Sequence, residues 1–250
     1  MKRILRTLQT YAPGVRPLKF GLYNAMTRHL GWHVEIDFLL LSRLPSVALA
    51  VDIGGNWGQS IEALKRTAKP AKIISFEPNP VLGARLERVY AGDKSVQIER
   101  CGLGDTAGGF TLYVPKYNGF IYDGLASLDE AEAKNWLNPD SMAFFDPKKL
   151  LLDKYDVPIK TLDSYGLTPD IVKIDVQGLE PQVVRGGLET FRRAQPVTII
   201  ETPNAELVAQ LGALGLDAYR WTGERLVAGD TGGLNTLFLS KERVGQLGLG

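Results

Sequence analysis

A chain of 250 residues with 44% hydrophobic content is long enough for one sizeable core, and its net charge of +1, with −5 on the residues after 34, argues against a broad nucleic-acid footprint on the main domain. Its one cysteine, Cys101, excludes an intrachain disulfide, and no cysteine or histidine cluster offers a structural zinc site. No apolar run reaches the roughly 18 residues of a membrane span, and the start lacks an apolar core with a small-residue cleavage site, so a cytoplasmic, reducing location is expected.

The charge is uneven. Residues 1–34 hold Lys2, Arg3, Arg6, Arg16, Lys19 and Arg28 and no acid, which leaves −5 on the remainder. Residues 1–46 read as a basic helical extension, with helices at 2–10, 18–30 and 34–44 punctuated by Pro13-Gly14, Pro17 and Pro45. The first reading of this extension is a solvated arm. The second is a surface for anionic lipid, a nucleotide or a phosphorylated carrier. His29 and His33 are four apart, but Gly31 and Trp32 argue against one helix carrying both, which leaves His33 as a minor candidate for a base.

Residues 47–250 read as one α/β domain. Ala48 to Ile53 is a short apolar run broken only by Asp52, and Gly54, Gly55, Asn56, Trp57 and Gly58 form a turn ahead of an amphipathic helix from Ser60 to Ala68. Strand, glycine-rich turn and helix in that order let backbone approach a ligand closely. The first, third and sixth places of the turn are Gly54, Asn56 and Gln59, so the dinucleotide fingerprint fails, and no Gly-Lys-Ser or Gly-Lys-Thr makes a phosphate loop. Asp52 would repel a pyrophosphate. A cationic ligand such as S-adenosylmethionine suits the turn better, with Asp52, Gly54, Gly55, Asn56 and Gly58 as cofactor candidates.

Lys72 to Glu77 is a second strand, and Glu77, 25 positions after Asp52, stands where a carboxylate accepts both ribose hydroxyls in an open α/β sheet. Pro78 and Asn79 join this group, Asn79 also serving as cap of a helix over 81–90, and 96–101 is a third strand. Residues 106–160 break the alternation, with a strand only at 110–114, and read as a substrate lid. Tyr117, Phe120, Tyr122 and Trp136 are there to stack on a ring or to pack the lid's own core, and Asn118, Asp123 and Asp129 to bond hydroxyls. Ser127 and Glu130 form a capping box for a helix through Trp136. Strands at 170–175, 196–201, 217–221 and 235–240, helices at 181–193 and 205–214, and a turn at 229–233 complete a doubly wound, seven-stranded, mostly parallel sheet.

The series VDIGGNWGQS at 51–60, ISFEPNP at 74–80, CGLGD at 101–105, TLDSY at 161–165, VKIDVQGLEPQVVRGG at 172–187 and IIETPN at 199–204 resembles the FkbM family of S-adenosylmethionine-dependent methyltransferases. The resemblance runs in order over 48–204. It implies a class I, Rossmann-like methyltransferase fold and O-methylation of hydroxyls on sugars or natural products. It also implies adenine beyond the third strand, near Gly104 and Asp105, and a cofactor contact at Ser127. The family's Asp-Val-Glu-Gly is here Asp175-Val176-Gln177-Gly178, and its Ser-Ser-Leu is Ala126-Ser127-Leu128.

Methyl transfer to an alcohol needs an aligned acceptor, exclusion of water, and a base or metal to take charge of the hydroxyl proton. Asp175, Glu180 and Glu201 are the candidate catalytic acids, and their convergence would suit Mg²⁺. Competing roles are a helix N-terminal charge for Glu180 and a turn contact for Asp175. The expected acceptor is a sugar hydroxyl in a glycan, glycolipid or glycosylated natural product, and not nucleic acid, which Asp123, Asp129, Glu130 and Glu132 would repel. The alternatives are another small molecule or lipid-linked carrier, a nicotinamide-dependent oxidoreductase, and a cofactor-binding protein without catalysis. The missing glycines disfavour the oxidoreductase, and Asp175 with an intact lid disfavours the last.

Overall fold

The computed structural model describes residues 4, 7, 10–12, 14–32, 34–231 and 233–249. Most of the helix expected over 2–10, and His33, lie outside them. The extension continues as α1 (Val15–Leu30) and α2 (Ile36–Leu40), followed by a 3₁₀ turn at Leu41–Arg43. Pro17 does not delay α1 but sits in its first turn, where a missing N–H leaves no bond unmade. Gly31 closes α1 with φ 69°, so the helix that carries His29 ends at Leu30.

The domain then follows in chain order as β1 (Leu49–Ile53), α3 (Gln59–Thr67), β2 (Lys72–Phe76), α4 (Pro80–Tyr90), β3 (Val96–Glu99), β4 (Gly102–Leu103), β5 (Gly108–Tyr117) and β6 (Phe120–Ile121). Next come α5 (Glu130–Asn135), β7 (Leu150–Lys160), β8 (Ile171–Ile174), α6 (Glu180–Arg185), α7 (Leu188–Ala194) and β9 (Val197–Glu201). The chain closes with α8 (Ala205–Gly212), β10 (Asp217–Trp221), β11 (Leu226–Ala228), β12 (Asn235–Leu239) and α9 (Lys241–Gln246). Among the described residues no helix is long and apolar enough to cross a membrane.

The large sheet has the order β11-β10-β12-β9-β8-β1-β2-β3, eight strands rather than the expected seven. The extra one is the edge strand β11, which pairs with β10 from Tyr219↔Ala228 to Trp221↔Leu226 and stands between the strands that the 229–233 turn was expected to join directly. The five strands from β3 to β9 are parallel, while the β9–β12, β12–β10 and β10–β11 pairings are antiparallel. Both faces are covered, by one core around Leu41, Ile61, Leu64, Ile73 and Ile199 and another around Val51, Phe76, Val172, Phe191 and Phe238. Double-sided burial is why these strands read as continuous apolar runs. Chain order reverses between β1 and β8, which leaves a crevice at their carboxyl ends.

Residues 106–160 are more regular than expected. β5 and β7 pair antiparallel from Gly108↔Ile159 to Tyr117↔Leu150 in a second sheet of order β4-β7-β5-β6. One face packs Leu112, Val114, Val157 and Ile159, and a second small core holds Tyr117, Phe120, Tyr122, Leu137 and Met142. The cap of α5 is Asp129, not Ser127. Asp129 Oδ1 accepts the N–H groups of Ala131 at 2.7 Å and Glu132 at 2.9 Å, while Ser127 Oγ accepts Asp129 N–H at 3.0 Å and donates to Glu132. Glu130 is engaged instead by Lys134 and Lys154.

The helix expected over 181–193 is two helices, because the chain breaks at Gly186-Gly187. A Cβ on Gly186 would stand 1.9 Å from the Gly104 carbonyl oxygen, so backbone meets backbone there. The extension is not a solvated arm either. Arg28 is paired with buried Glu62, which also accepts Tyr90 Oη at 2.8 Å, and Asn24 Nδ2 donates to Trp57 O at 2.8 Å.

Candidate functional site

A cleft of about 510 Å³ occupies the crevice at the carboxyl ends of β1, β2 and β8, and the small sheet forms its far wall. Gly54 opens the loop after β1 with φ 91°, and a Cβ there would stand 1.9 Å from the Asp175 carbonyl oxygen. Gly54 N–H and Gly55 N–H both donate to Phe76 O, at 3.0 and 3.1 Å, which ties the loop across β2. Asn56, Gln177 and Thr202 follow β1, β8 and β9 with φ of 47°, 55° and 46°, so three non-glycine residues hold the left-handed conformation beside one crevice.

Glu77 lies on the cleft wall, 5% exposed, with Oε2 accepting Asn56 N–H at 2.7 Å and Oε1 accepting Asn79 N–H at 2.8 Å. Burial pushes its carboxyl up to about 7 against the pull of those two amides, with Asp52 adding to the rise. Each oxygen keeps a lone pair for a hydroxyl from the cleft. Pro78, Leu82 and Leu103 line the cleft beside it. Asn79 lines it too, but its Oδ1 is used on Val81 N–H at 3.0 Å as the cap of α4. Asn56 Oδ1 is a buried acceptor with no hydrogen-bond partner.

Asp175 stands between two spaces. It lines the cleft and also a smaller cavity of about 150 Å³ behind the loop, which Glu35, Lys173, Glu201 and Asn235 share. Lys173 Nζ donates to Asp175 Oδ2 at 3.1 Å, and Gln177 Nε2 donates to Oδ1 at 2.9 Å. Burial pushes the Asp175 carboxyl up, but the charge and hydrogen bond of Lys173 outweigh it and hold the group below the usual carboxylate range. Glu201 shares a hydrogen bond with Asp175 and moves the other way, raised by burial and by the Asp175 charge. Of the pair, Asp175 is therefore the more readily ionised.

On the far wall, Asp123 is buried and tied on three sides. Arg16 of α1 is ion-paired to it, Trp57 Nε1 donates to Oδ2 at 3.0 Å and Gly124 N–H to Oδ1 at 2.9 Å. Arg16 also donates to Ile121 O at 2.7 Å. Trp57 is held between Phe20, stacked at 4.8 Å, and the Arg85 guanidinium at 4.4 Å. Ser127, Asp129, Glu132 and the ring of Phe110 complete this wall.

Several expected site residues are elsewhere. Asp52 is fully buried beneath the loop, accepts Ser75 Oγ at 2.7 Å and faces Lys173 in register, so it shapes the strand end without reaching the cleft. Gly55 faces the smaller cavity, and Gly58 caps α3 at φ 88° against Tyr90. Gly104 packs against Gly186, and Asp105 pairs on the surface with Arg185 at 3.0 Å, so the wall beyond the third strand is made by Cys101, Gly102 and Leu103 instead. Glu180 is turned onto its own loop, where it accepts Val176 N–H at 3.1 Å and Gly178 N–H at 3.0 Å. Glu180 therefore does not converge with Asp175 and Glu201, and among the described residues no group of three or more acids, histidines or cysteines is arranged to hold a metal ion. Tyr117 and Tyr122 are 3% and 6% exposed inside the small core and do not line the cleft.

Sequence reasoning passed over Lys173, Trp57, Arg16, Arg85 and Phe110. Lys173 had a legible signal, a lysine inside the otherwise apolar strand IVKI. A buried ammonium needs a carboxylate partner, and the nearest in sequence is Asp175.

The family model described as Methyltransferase FkbM domain matches residues 50–211. Methyltransferase sdnD of Sordaria araneosa is 30% identical over 184 residues, 65% of this chain and 69% of that protein. The 2-O-methyltransferase NoeI of Sinorhizobium fredii is 28% identical over 201 residues, 75% of this chain and 72% of that protein. Among solved structures, methyltransferase FkbM from Methylobacillus flagellatus KT superposes with a TM-score of 0.46 at 15% identity. That match covers 87% of this chain but 53% of the other, so the chain spans about half the length of that structure.

Proposed function

Since the chain belongs to the FkbM family of methyltransferases, we propose that it transfers the methyl group of S-adenosylmethionine to a hydroxyl of a sugar, in a glycan or a glycosylated natural product. The carrying observation is the chemistry of the cleft wall. Glu77, Asp123, Asp129, Glu132 and Asp175 line it, and among the described residues no lysine, arginine or histidine does. Such a wall suits a sulfonium cofactor and a neutral acceptor rich in hydroxyls, and it repels a phosphate backbone. The similarity to a 2-O-methyltransferase supports transfer to an oxygen.

The residues present fit the cofactor. Glu77 would take the ribose hydroxyls, and Pro78, Leu82 and Leu103 would cover the adenine. Asn56 Oδ1, buried and unpartnered, would accept from the methionine ammonium. When bound, the cofactor supplies an electrophilic methyl carbon. The chain's own contribution is placement and charge. Asp175 accepts the hydroxyl proton of the acceptor, and Lys173 keeps its carboxylate ionised beforehand. Gln177 holds Oδ1 and fixes the carboxylate's rotation. Asp123, held by Arg16 and Trp57, offers a hydrogen-bond acceptor on the opposite wall.

Incubation with methyl-labelled cofactor and a panel of saccharides, followed by mass spectrometry, tests the reading. A gain of one methyl on a sugar oxygen is expected. Labelling of amines, proteins or nucleic acid alone would refute it.

A further inference from the structure

α1 is inverted relative to an ordinary surface helix. It buries Asn24 and Thr27 and sends Arg16 inward to Asp123, while Val15, Leu18, Leu22 and Leu30 are 57%, 72%, 60% and 56% exposed. The inward polar groups are satisfied. Asn24 Nδ2 donates to Trp57 O at 2.8 Å and Thr27 Oγ1 to Trp32 O at 2.9 Å, so this orientation is fixed by specific bonds. Val15, Leu18 and Leu22 are spaced three and four apart and form one outward stripe. Tyr11 and Trp32, which flank α1 in the chain, are 68% and 57% exposed.

The charge of the same segment identifies the occupant. Residues 1–34 contain no acid. Arg16 and Arg28 are committed to Asp123 and Glu62, and Lys2, Arg3, Arg6 and Lys19 have no acid within the segment to answer them. A second copy docked on the stripe through a two-fold axis would bring two such segments together, like charge against like. We propose that the outward face of α1 lies on an anionic lipid surface, with Val15, Leu18 and Leu22 at the acyl boundary and Lys19 at the headgroups. Tyr11 and Trp32 have the amphipathic rings that the headgroup level accommodates.

Flotation of the full chain with phosphatidylcholine vesicles, and with vesicles that also contain phosphatidylglycerol, tests this. The chain floats with the anionic vesicles only and is released by high salt. Leu18→Glu with Leu22→Glu lowers that binding by about a hundredfold or more, and Lys19→Glu by roughly tenfold, with thermal unfolding unchanged because these side chains are exposed. Absence from both vesicle types, equal flotation with both, or a dimer dissociated by the leucine variant without vesicle binding would each overturn the proposal. The readout contains no methyl transfer, so its outcome is independent of the acceptor.

Discussion

Lys173 Nζ and Asp175 Oδ2 meet at 3.1 Å at the end of β8, a buried ammonium on a carboxylate that opens onto the cleft. The lysine lowers the Asp175 carboxyl while burial and the Asp175 charge raise that of Glu201, and the same lysine faces Asp52 on the neighbouring strand. Removing the cation therefore reaches both the fold and the chemistry. Lys173→Met is expected to destabilise the protein by about 3–5 kcal/mol, the range for orphaning a buried partner. In whatever fraction folds, the acid limb of the pH–rate profile moves to higher pH, since Asp175 loses the charge that lowers it. A destabilised variant with an unmoved acid limb would take Asp175 out of the proton transfer.

Glu77 gives a pH dependence of the opposite kind. Its carboxyl is raised from 4.5 to about 7 in the fold, so the folded state holds its proton more tightly than the unfolded chain. The sign follows. The contribution is most favourable below 4.5 and is lost as pH rises through 7, to a total of about 3 kcal/mol. Glu77→Gln is expected to flatten this slope, with the loss of one of the two amide bonds, because its single Oε1 cannot accept both Asn56 N–H and Asn79 N–H. It also weakens cofactor binding, by about 1.5–3 kcal/mol if two ribose hydroxyls lose an ionised acceptor. Melting curves from pH 5 to about 8 and calorimetry separate the two effects.

Gly54 and Gly178 form a matched pair for testing the loop. Both have positive φ, 91° and 99°, but a Cβ on Gly54 meets the Asp175 carbonyl at 1.9 Å while one on Gly178 meets nothing within 4 Å. Gly54→Ala is expected to cost more than about 3 kcal/mol and to abolish cofactor binding, whereas Gly178→Ala pays only backbone strain, about 1 kcal/mol. Equal losses in denaturant titrations would mean that conformation alone, not the approach to β8, governs the loop.

Arg16 carries the link between the extension and the cleft. Arg16→Ala leaves Asp123 buried beside Trp57 without its cation, and an expected loss of about 3 kcal/mol should come with altered tryptophan fluorescence. Arg16→Ala with Asp123→Asn should recover part of it. Failure of the double variant to recover stability would mean that Arg16 acts through its stacking on Phe20 and Trp57.

The parallel half of the fold was legible because its signals are local. Apolar runs ending in Asp52, Glu77 and Asp175 became β1, β2 and β8 with their adjoining loops, and Asn79 caps α4 as expected. The small sheet was missed because its evidence is split across the chain. Tyr155, Val157 and Ile159 alternate with Lys154, Asp156 and Lys160, but the pattern acquires meaning only against β5, whose Phe110 pairs with Val157. The same gap left Tyr117 and Tyr122 between ring stacking and core packing, since the facing of an aromatic depends on a register that one segment does not contain. Glu180 and Asp105 were misassigned for a different reason. An acid near a strand end has local amides and distant arginines competing for it, and here Gly178 N–H and Arg185 won.

A cleft walled by carboxylates also sorts what leaves it. S-adenosylmethionine carries a sulfonium cation, and its demethylated product a neutral thioether. At distances near 8 Å and an effective dielectric of about 20, one net negative charge distinguishes the two by about 2 kcal/mol. The site is therefore expected to hold the by-product more than tenfold less tightly than the cofactor, which competition binding of the two measures. Added salt would narrow the difference between the two affinities, a trend that an uncharged wall would not produce.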